Sequence, residues 1–398
     1  MPGGLEPSAL RARLAAYKPG RVHGGPPFQG GLVGYFTYDY GRWLQMDRLR
    51  SSARPRSDYS LGIYDTLIAC DHQTGQCWAL SAGLLGEDKQ ANLERARAKL
   101  EQIGDEVAAL TSHTPRPVAL SWRADLSKSD YVKMIDRTQA YIKAGDIYQA
   151  NVAQTFWADM PTGSSALDLY LNIRQTNPAP FGAFVQHDGF SLACTSPERL
   201  ICLDQDGRAE ARPIKGTIRR SSDPEEDKYL RETLEQSEKD RAENTMIVDL
   251  LRNDLSQICA PFSVKVSELC SLESYAGLHQ LTSAVQGQLD AGQDGFDLFG
   301  AVFPGGSITG APKLRAMEII DELEMHPRRA FCGSLGYFGF DGALDFNIMI
   351  RTVQVEKGLA RLDVGGGITH LSEPLGEYEE TLLKAQRIRA GTCLEPAS

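Results

Sequence analysis

Two pairs of carboxylates and one lysine are the residues whose types and spacing could do chemistry. In EKDRAENTMIVDLLRND, Asp240 and Glu243 lie three positions apart, and in EYEETLLKAQRIRA, Glu377 and Glu380 repeat that spacing, with Lys384 four further on. On a helix such spacing puts both members on one face. If the two helices meet, up to four carboxylates converge. That is the oxygen-rich donor set of a hard cation such as Mg²⁺, with positions left open for water and an anionic substrate. The other reading is two solvated helix faces, since acidic i, i+3 pairs are commonplace on exposed helices. Lys215, in RPIKGTIRR, is bracketed by Pro213 and Gly216 at what reads as a strand end. A lysine held beside a backbone kink can act as a nucleophile where its proton affinity is lowered. The competing reading is a basic surface turn.

Two glycine-rich strings and several lone residues complete the candidates. FPGGSITGAPK (303–313) lacks the GK[ST] ending of a phosphate loop and is not one. A glycine-rich turn feeding the helix-like KLRAMEIIDELE can still offer backbone N–H groups to a carboxylate, and GGGI (365–368) can do the same. Glu198 in TSPERL, His279 in GLHQLTS, Tyr337, Arg351 in MIRT and Gln149 in DIYQANVAQ stand alone. Taken singly, each is more often structural.

The elements that must position these residues can be read coarsely. GLVGYFTYDY (31–40) alternates small and aromatic residues as a strand does, and 61–71 with 76–83 reads as a hairpin across Gly75. EDKQANLERARAKLEQIGDEVAAL has helical spacing, and Pro115 and Pro117 follow it, which places a boundary near residue 112. SKSDYVKMIDRTQAYIKAG reads as a helix with Ser129 as N-cap and Gly145 at its end. Residues 224–255 read as helix in two segments, GSLGYFGF and FNIMIRTVQV as strands, and VEKGLARLDV as a hairpin turning at Lys357-Gly358. A closing helix spans SEPLGEYEETLLKAQRIRA. Strands arrive in runs without strict βαβ alternation, so the expected class is α+β.

Bulk composition excludes other functions. The chain has 398 residues, 42% of them apolar, and a net charge of −10. The acidic surplus disfavours a nucleic-acid or anionic-membrane partner, because both require a positive field. No apolar run approaches a membrane span, and MPGGLEPSAL carries no secretory signal, so a cytoplasmic location is expected. The eight cysteines show no CxxC and are expected to be free thiols, and the seven histidines form no HExxH.

Taken in order, DIYQANVAQTF, SPERL, RPIKGT, DRAENTMIVDLLRNDL, FPGGSITGAPKLRAMEIIDELE, GSLGYFGF, MIRT, GGGI and EYEET resemble the chorismate-utilising enzyme family. That family includes anthranilate, isochorismate, salicylate and aminodeoxychorismate synthases. The resemblance is strong over residues 115–390 and extends more weakly through GGLVGYFTYDYGRWL. It implies the anthranilate synthase component I-like fold: two packed antiparallel β-sheets surrounded by helices. Residues 113–398 would form the chorismate-binding catalytic domain, and 1–112 a shortened β-rich N-terminal region with a linker helix. The Leu-Leu-Glu-Ser-like half of the family's tryptophan pocket is not legible, whereas NPAPFGAF (177–184) matches its other half.

The resemblance also assigns roles. It implies Mg²⁺ on Glu243 and Glu380, assisted by Asp240 and Glu377. Thr309, Gly310, Tyr337, Arg351, Lys384 and the amides of Gly365, Gly366 and Gly367 would surround the two substrate carboxylates. Glu198 takes the general-acid position and His279 a catalytic position. Gln149 stands where isochorismate-forming relatives carry a lysine that activates water, and an amide cannot serve as that base. Lys215 in PIKGT looks like the aminating branch, since anthranilate-forming members typically carry Ala there. The implied activity is Mg²⁺-dependent amination of chorismate to 4-amino-4-deoxychorismate through a covalent Lys215 intermediate, for p-aminobenzoate and folate synthesis. With no Gly-x-Cys-x-Gly string, ammonia is expected from a glutamine amidotransferase subunit. Conversion of chorismate to anthranilate plus pyruvate, or a non-catalytic chorismate-binding role, are the alternatives.

Overall fold

The computed structural model describes residues 7–17, 20–44, 59–84, 88–275 and 277–392. Small residues alternate with large ones in Gly31–Phe36, which pairs antiparallel with Ser334–Gly339 and with Tyr59–Tyr64. A Cβ on Gly34 would lie 1.9 Å from the Ser60 carbonyl oxygen, so only glycine admits the neighbouring strand. These strands belong to a nine-stranded sheet that also holds Arg199–Leu203, Ile214–Arg219, Leu278–Gln288 and Leu344–Asn347. A seven-stranded sheet is built around Gln149–Asp159, Leu359–Ile368, Thr352–Glu356 and Phe190–Ser196. All strand pairings within them are antiparallel. The two-sheet α+β architecture with surrounding helices is therefore as expected.

Aromatic packing fills the face of the larger sheet: Phe346 lies 4.8 Å, ring to ring, from both Phe299 and Phe338, and all three are buried. Each such side chain contributes roughly 1.5–3 kcal/mol by burial. The smaller sheet packs Val353 and Leu362 against Leu169 and Ile173 of the helix Ala166–Thr176, and against Ala385 and Ile388 of the helix Pro374–Ala390. Tyr35 and Leu335 from one sheet meet Leu192 and Cys194 from the other, which joins the two.

Four local readings need correction. The strand at residue 31 stops at Phe36, and Tyr38–Leu44 is helix. The Arg329 carbonyl accepts from the Tyr38 N–H and the Asp39 carboxylate accepts from the Arg329 N–H, a tertiary tie that local alternation does not encode. FNIMIRTVQV is two strands, Leu344–Asn347 in the larger sheet and Thr352–Glu356 in the smaller, because the chain crosses between sheets at residues 348–351. Ser127, not Ser129, caps the helix Lys128–Ala144, its side chain accepting from the Asp130 N–H. Cys70 and Cys77 are not free: they face each other across the hairpin Thr66–Cys70/Cys77–Ser81 and form a disulfide. Five further cysteines are free thiols, and Cys393 lies outside the described residues. The 224–255 region does divide, into Pro224–Glu235 and Glu238–Ser256.

Candidate active site

A cleft of about 500 Å³ opens between the sheets and is roofed by the helices Glu238–Ser256 and Pro374–Ala390. Lys215 reaches into it from the larger sheet. The pairing of Ile214–Arg219 with Leu278–Gln288 slips between Ile214 and Thr217, and Gly216 in this bulge has φ +81°. A bulge re-aims a side chain out of the pleat. Here it turns Lys215 inward, where its Nζ lies 3.5 Å from the Ser307 carbonyl oxygen. A Cβ on Gly216 would come within 2.8 Å of Asp240 Cβ, so this glycine also admits the acidic helix.

Glu198 enters from the turn between Phe190–Ser196 and Arg199–Leu203 and is 7% exposed. The Ser307 hydroxyl donates to its Oε1 at 3.0 Å. Burial pushes its carboxyl up, and the opposing pull of Lys215 and Ser307 does not cancel that. A buried carboxyl with raised proton affinity is suited to donate a proton. Across the cleft, Gln149 is fully buried and neither atom of its amide has a hydrogen-bond partner. Asn151 Oδ1 on the same strand is likewise unpartnered. Asn151 lines the cleft and Gln149 lies just behind it. Gly367 makes room for one of them: a Cβ there would lie 2.4 Å from Gln149 Nε2 and 3.6 Å from Lys215 Nζ.

The two acidic helices border the same cleft and are tied by the Lys239–Glu377 ion pair. Asp240, Glu243, Glu377 and Glu380 all line the cleft. Glu243 is mostly buried, its Oε1 has no hydrogen-bond partner, and burial pushes its carboxyl up. Glu377 accepts from the Ser372 hydroxyl at 2.7 Å. At Glu380 burial raises the carboxyl, but Lys384 at 2.8 Å outweighs it and holds the group below the usual carboxylate range. Oxygen donors and an orphaned buried carboxylate atom suit Mg²⁺. Among the described residues no three of them stand close enough to form a finished metal cluster. The Lys239 Nζ stands among them instead, 3.5 Å from Glu377 and 4.0 Å from Glu243.

Cations line the cleft as well, Lys384 and Arg387 one and two turns beyond Glu380 on the same helix and Arg351 on the sheet crossing. Arg351 has φ +51° at the crossing between sheets, and its carbonyl accepts from the N–H and the hydroxyl of Thr195. Its guanidinium feels the pull of the Glu198 carboxyl. Burial and the neighbouring Arg387 press it downward, an arrangement that a bound carboxylate relieves. Lys384 donates to the Gly365 carbonyl at 3.0 Å. Leu359–Ile368 pairs with Thr352–Glu356 only through Leu362 but with Gln149–Asp159 as far as Ile368. Among the described residues its glycine segment thus has one edge without a strand partner, beside the cleft.

The sequence profile of the chorismate binding enzymes matches residues 5–390. The chain is 43% identical over 363 residues to aminodeoxychorismate synthase component 1 of Klebsiella aerogenes, spanning 91% of this chain and 77% of that protein. The chain belongs to the chorismate-binding enzyme family. The Escherichia coli aminodeoxychorismate synthase component 1 is 40% identical over 364 residues, covering 91% of this chain and 77% of that one. Anthranilate synthase component I from Streptococcus pneumoniae superposes with a TM-score of 0.82 at 28% identity, over 96% of this chain and 85% of that chain.

Not every residue expected at a chorismate site reaches the cleft. Lys215, Glu198, Arg351, Lys384, Gly365, Gly367 and the four carboxylates line it, and Gln149 adjoins it. Tyr337 does not: its ring packs 4.6 Å from Phe28, on the far side of the larger sheet's strand. Phe331 lines the cleft instead. His279 is buried on the other face of its strand, between the Ser274 hydroxyl at 2.7 Å and Asp227 at 3.2 Å, while Leu278 and Gln280 on either side of it face the cleft. Thr309 is fully buried and donates to the Gly305 carbonyl at 2.9 Å. Gly310 serves backbone pairing with Ala150, and Gly366 faces Glu377, 3.1 Å from where its Cβ would be. Residues not foreseen in the cleft include Asn151, Lys239, Ser307 and Arg387. Arg387 had a legible signal, since it extends the Glu377, Glu380, Lys384 ladder by one turn.

Proposed function

We propose that the chain aminates chorismate with ammonia to 4-amino-4-deoxychorismate, the step that feeds p-aminobenzoate and folate synthesis, through a covalent intermediate on Lys215. The observation that carries this reading is the placement of Lys215 in the cleft, turned inward by a bulge and facing the buried acid Glu198. The curated relatives bearing the aminodeoxychorismate synthase component 1 name support the reaction class. Chorismate is a small dianion, and Arg351, Lys384 and Arg387 supply the cations for its carboxylates.

In the first half of the reaction the neutral Nζ of Lys215 forms a bond to C2 of the ring. The ring double bonds shift, the C4–O bond breaks, and the hydroxyl leaves as water on the proton of Glu198. In the second half the nitrogen of ammonia bonds to C4, the double bonds shift back, and the C2–N bond breaks to release Lys215, with protons redistributed to the leaving amine. Glu243, Glu380, Asp240 and Glu377 would hold Mg²⁺, which when bound neutralises substrate carboxylate charge and the charge that develops as the hydroxyl departs. Asn151, on the cleft wall, offers its Oδ1 to the substrate in this reading, with the Gln149 amide beside it.

Ammonia is supplied in this reading by a separate glutaminase subunit, in keeping with the component 1 naming of the relatives. In this reading the cleft residues all come from 113–398, and strands of the 1–112 region complete the larger sheet. No helix among the described residues is long and apolar enough to cross a membrane. The test incubates the purified chain with chorismate, Mg²⁺ and ammonium and identifies the product with and without an added lyase. Anthranilate plus pyruvate as sole product would overturn the reading. Intact-protein mass spectrometry of a trapped reaction should show an adduct on Lys215, and an adduct that persists in Lys215→Ala would refute the nucleophile.

A further inference from the structure

Lys239 is poorly explained by the helix that carries it. It lies in the first turn of Glu238–Ser256, after the Ser237 cap, where the helix dipole disfavours a cation. Its pairing with Glu243 runs with the lysine N-terminal to the acid, the weaker orientation for an i, i+4 pair. What holds it is the carboxylate cluster: Glu377, 5% exposed and on the other helix, lies 3.5 Å from its Nζ, with Glu243 at 4.0 Å. Glu243 has an orphaned buried oxygen, so the ammonium faces a carboxylate that it does not hydrogen-bond. The lysine side chain itself is 45% exposed, so the amine has a path to solvent.

We propose that the Lys239 ammonium is a displaceable internal counter-ion: it holds the carboxylates of the two helices together in the empty enzyme and swings out when the divalent cation binds, so that it sets cation affinity by competition. This rests on the metal reading of the same site. Lys239 shares with Lys215 the offsetting of negative charge at Glu243, and it is the cation that reaches Glu377 on the other helix. With it, a divalent cation must displace one unit charge before it can bind.

The experiment titrates Mg²⁺ alone, without chorismate, into the full chain by calorimetry, and follows thermal unfolding with and without Mg²⁺. Lys239→Met should bind Mg²⁺ about tenfold tighter than wild type or better, the size expected for removing a partly screened unit charge at about 4 Å. It should also melt lower than wild type without Mg²⁺ and gain more from it. Lys239→Arg, which keeps the charge, should remain within about threefold of wild type. Equal or weaker Mg²⁺ binding in Lys239→Met, or equal tightening in both variants, overturns the counter-ion role. Glu243→Gln separates the two readings. Should it leave Mg²⁺ binding untouched, the metal reading fails. Should it abolish binding while Lys239→Met changes nothing, the counter-ion proposal alone fails.

Discussion

Replacing Gly367 with alanine perturbs the site by one methyl group. The new Cβ would stand 2.4 Å from Gln149 Nε2 and 3.2 Å from its Cδ, against an ordinary contact of about 3.4 Å or more, so the amide must retreat by about 1 Å. It has little room, because Gln149 is fully buried and its backbone is pinned to Ala311 in the sheet, with its carbonyl oxygen 2.1 Å from where a Gly310 Cβ would be. Lys215 Nζ, at 3.6 Å, is touched but not displaced. A misplacement of about 1 Å in a positioned group costs on the order of a hundredfold in rate, and overpacking costs about 1–3 kcal/mol of stability. The assay follows chorismate-dependent amination at saturating ammonium and Mg²⁺, with urea unfolding alongside. Gly367→Ala should lose about a hundredfold in kcat/KM. In a Gln149→Ala background, where the obstructing amide is gone, the same substitution should cost less than about fivefold. Wild-type activity in Gly367→Ala, or an undiminished loss in the Gln149→Ala background, would refute the steric argument.

Arg351→Lys keeps the charge but loses the two-pronged donor, and KM for chorismate should rise about tenfold or more while Mg²⁺ binding is unchanged. Glu198→Gln cannot give up a proton, and kcat should fall by about 10² to 10⁴-fold. Because burial raises the Glu198 carboxyl, the folded protein keeps that proton over a pH window in which the unfolded chain has lost it. Turnover and the stability contribution of this group should both decline as pH rises through the raised value, and the decline in the pH–rate profile should be absent from the residual activity of Glu198→Gln. Glu324→Ala strands the Arg328 guanidinium, 2% exposed, which donates to the Ile308 and Asn151 carbonyls under the cleft. A loss of about 3–5 kcal/mol in urea unfolding is expected, because one member of a buried pair is left uncompensated.

The acidic pairs were legible because helical spacing fixes which residues share a face, and both helices keep that spacing through their whole length. Whether the faces bordered one cleft depended on packing of two helices 137 positions apart, from Asp240 to Glu377, and only the family resemblance pointed to it. Strand faces were harder. His279 and Gln280 are neighbours pointing opposite ways, and which one enters the cleft depends on the register with Ile214–Arg219, itself shifted by the bulge at Lys215. Tyr337 failed for the same reason, as the strand Ser334–Gly339 turns that ring toward Phe28. The break inside FNIMIRTVQV had no local signal, since an apolar run reads the same whether it stays in one sheet or changes sheets. Lys239 was hidden by adjacency to Asp240: its meaning comes from Glu377, distant in sequence.

The crossing at residues 348–351 makes the cleft a seam. The Ile348 N–H is held by the Glu198 carbonyl and the Met349 N–H by the Gly333 carbonyl, so the acid, the crossing and Arg351 move as one piece. Lys215 arrives on one slab and Gly365 and Gly367 on the other. A substrate bridging them acts as a bolt driven across the joint. Side chains that never touch it, such as Leu335 and Leu192 where the slabs rest on each other, then govern reactivity through the alignment they impose.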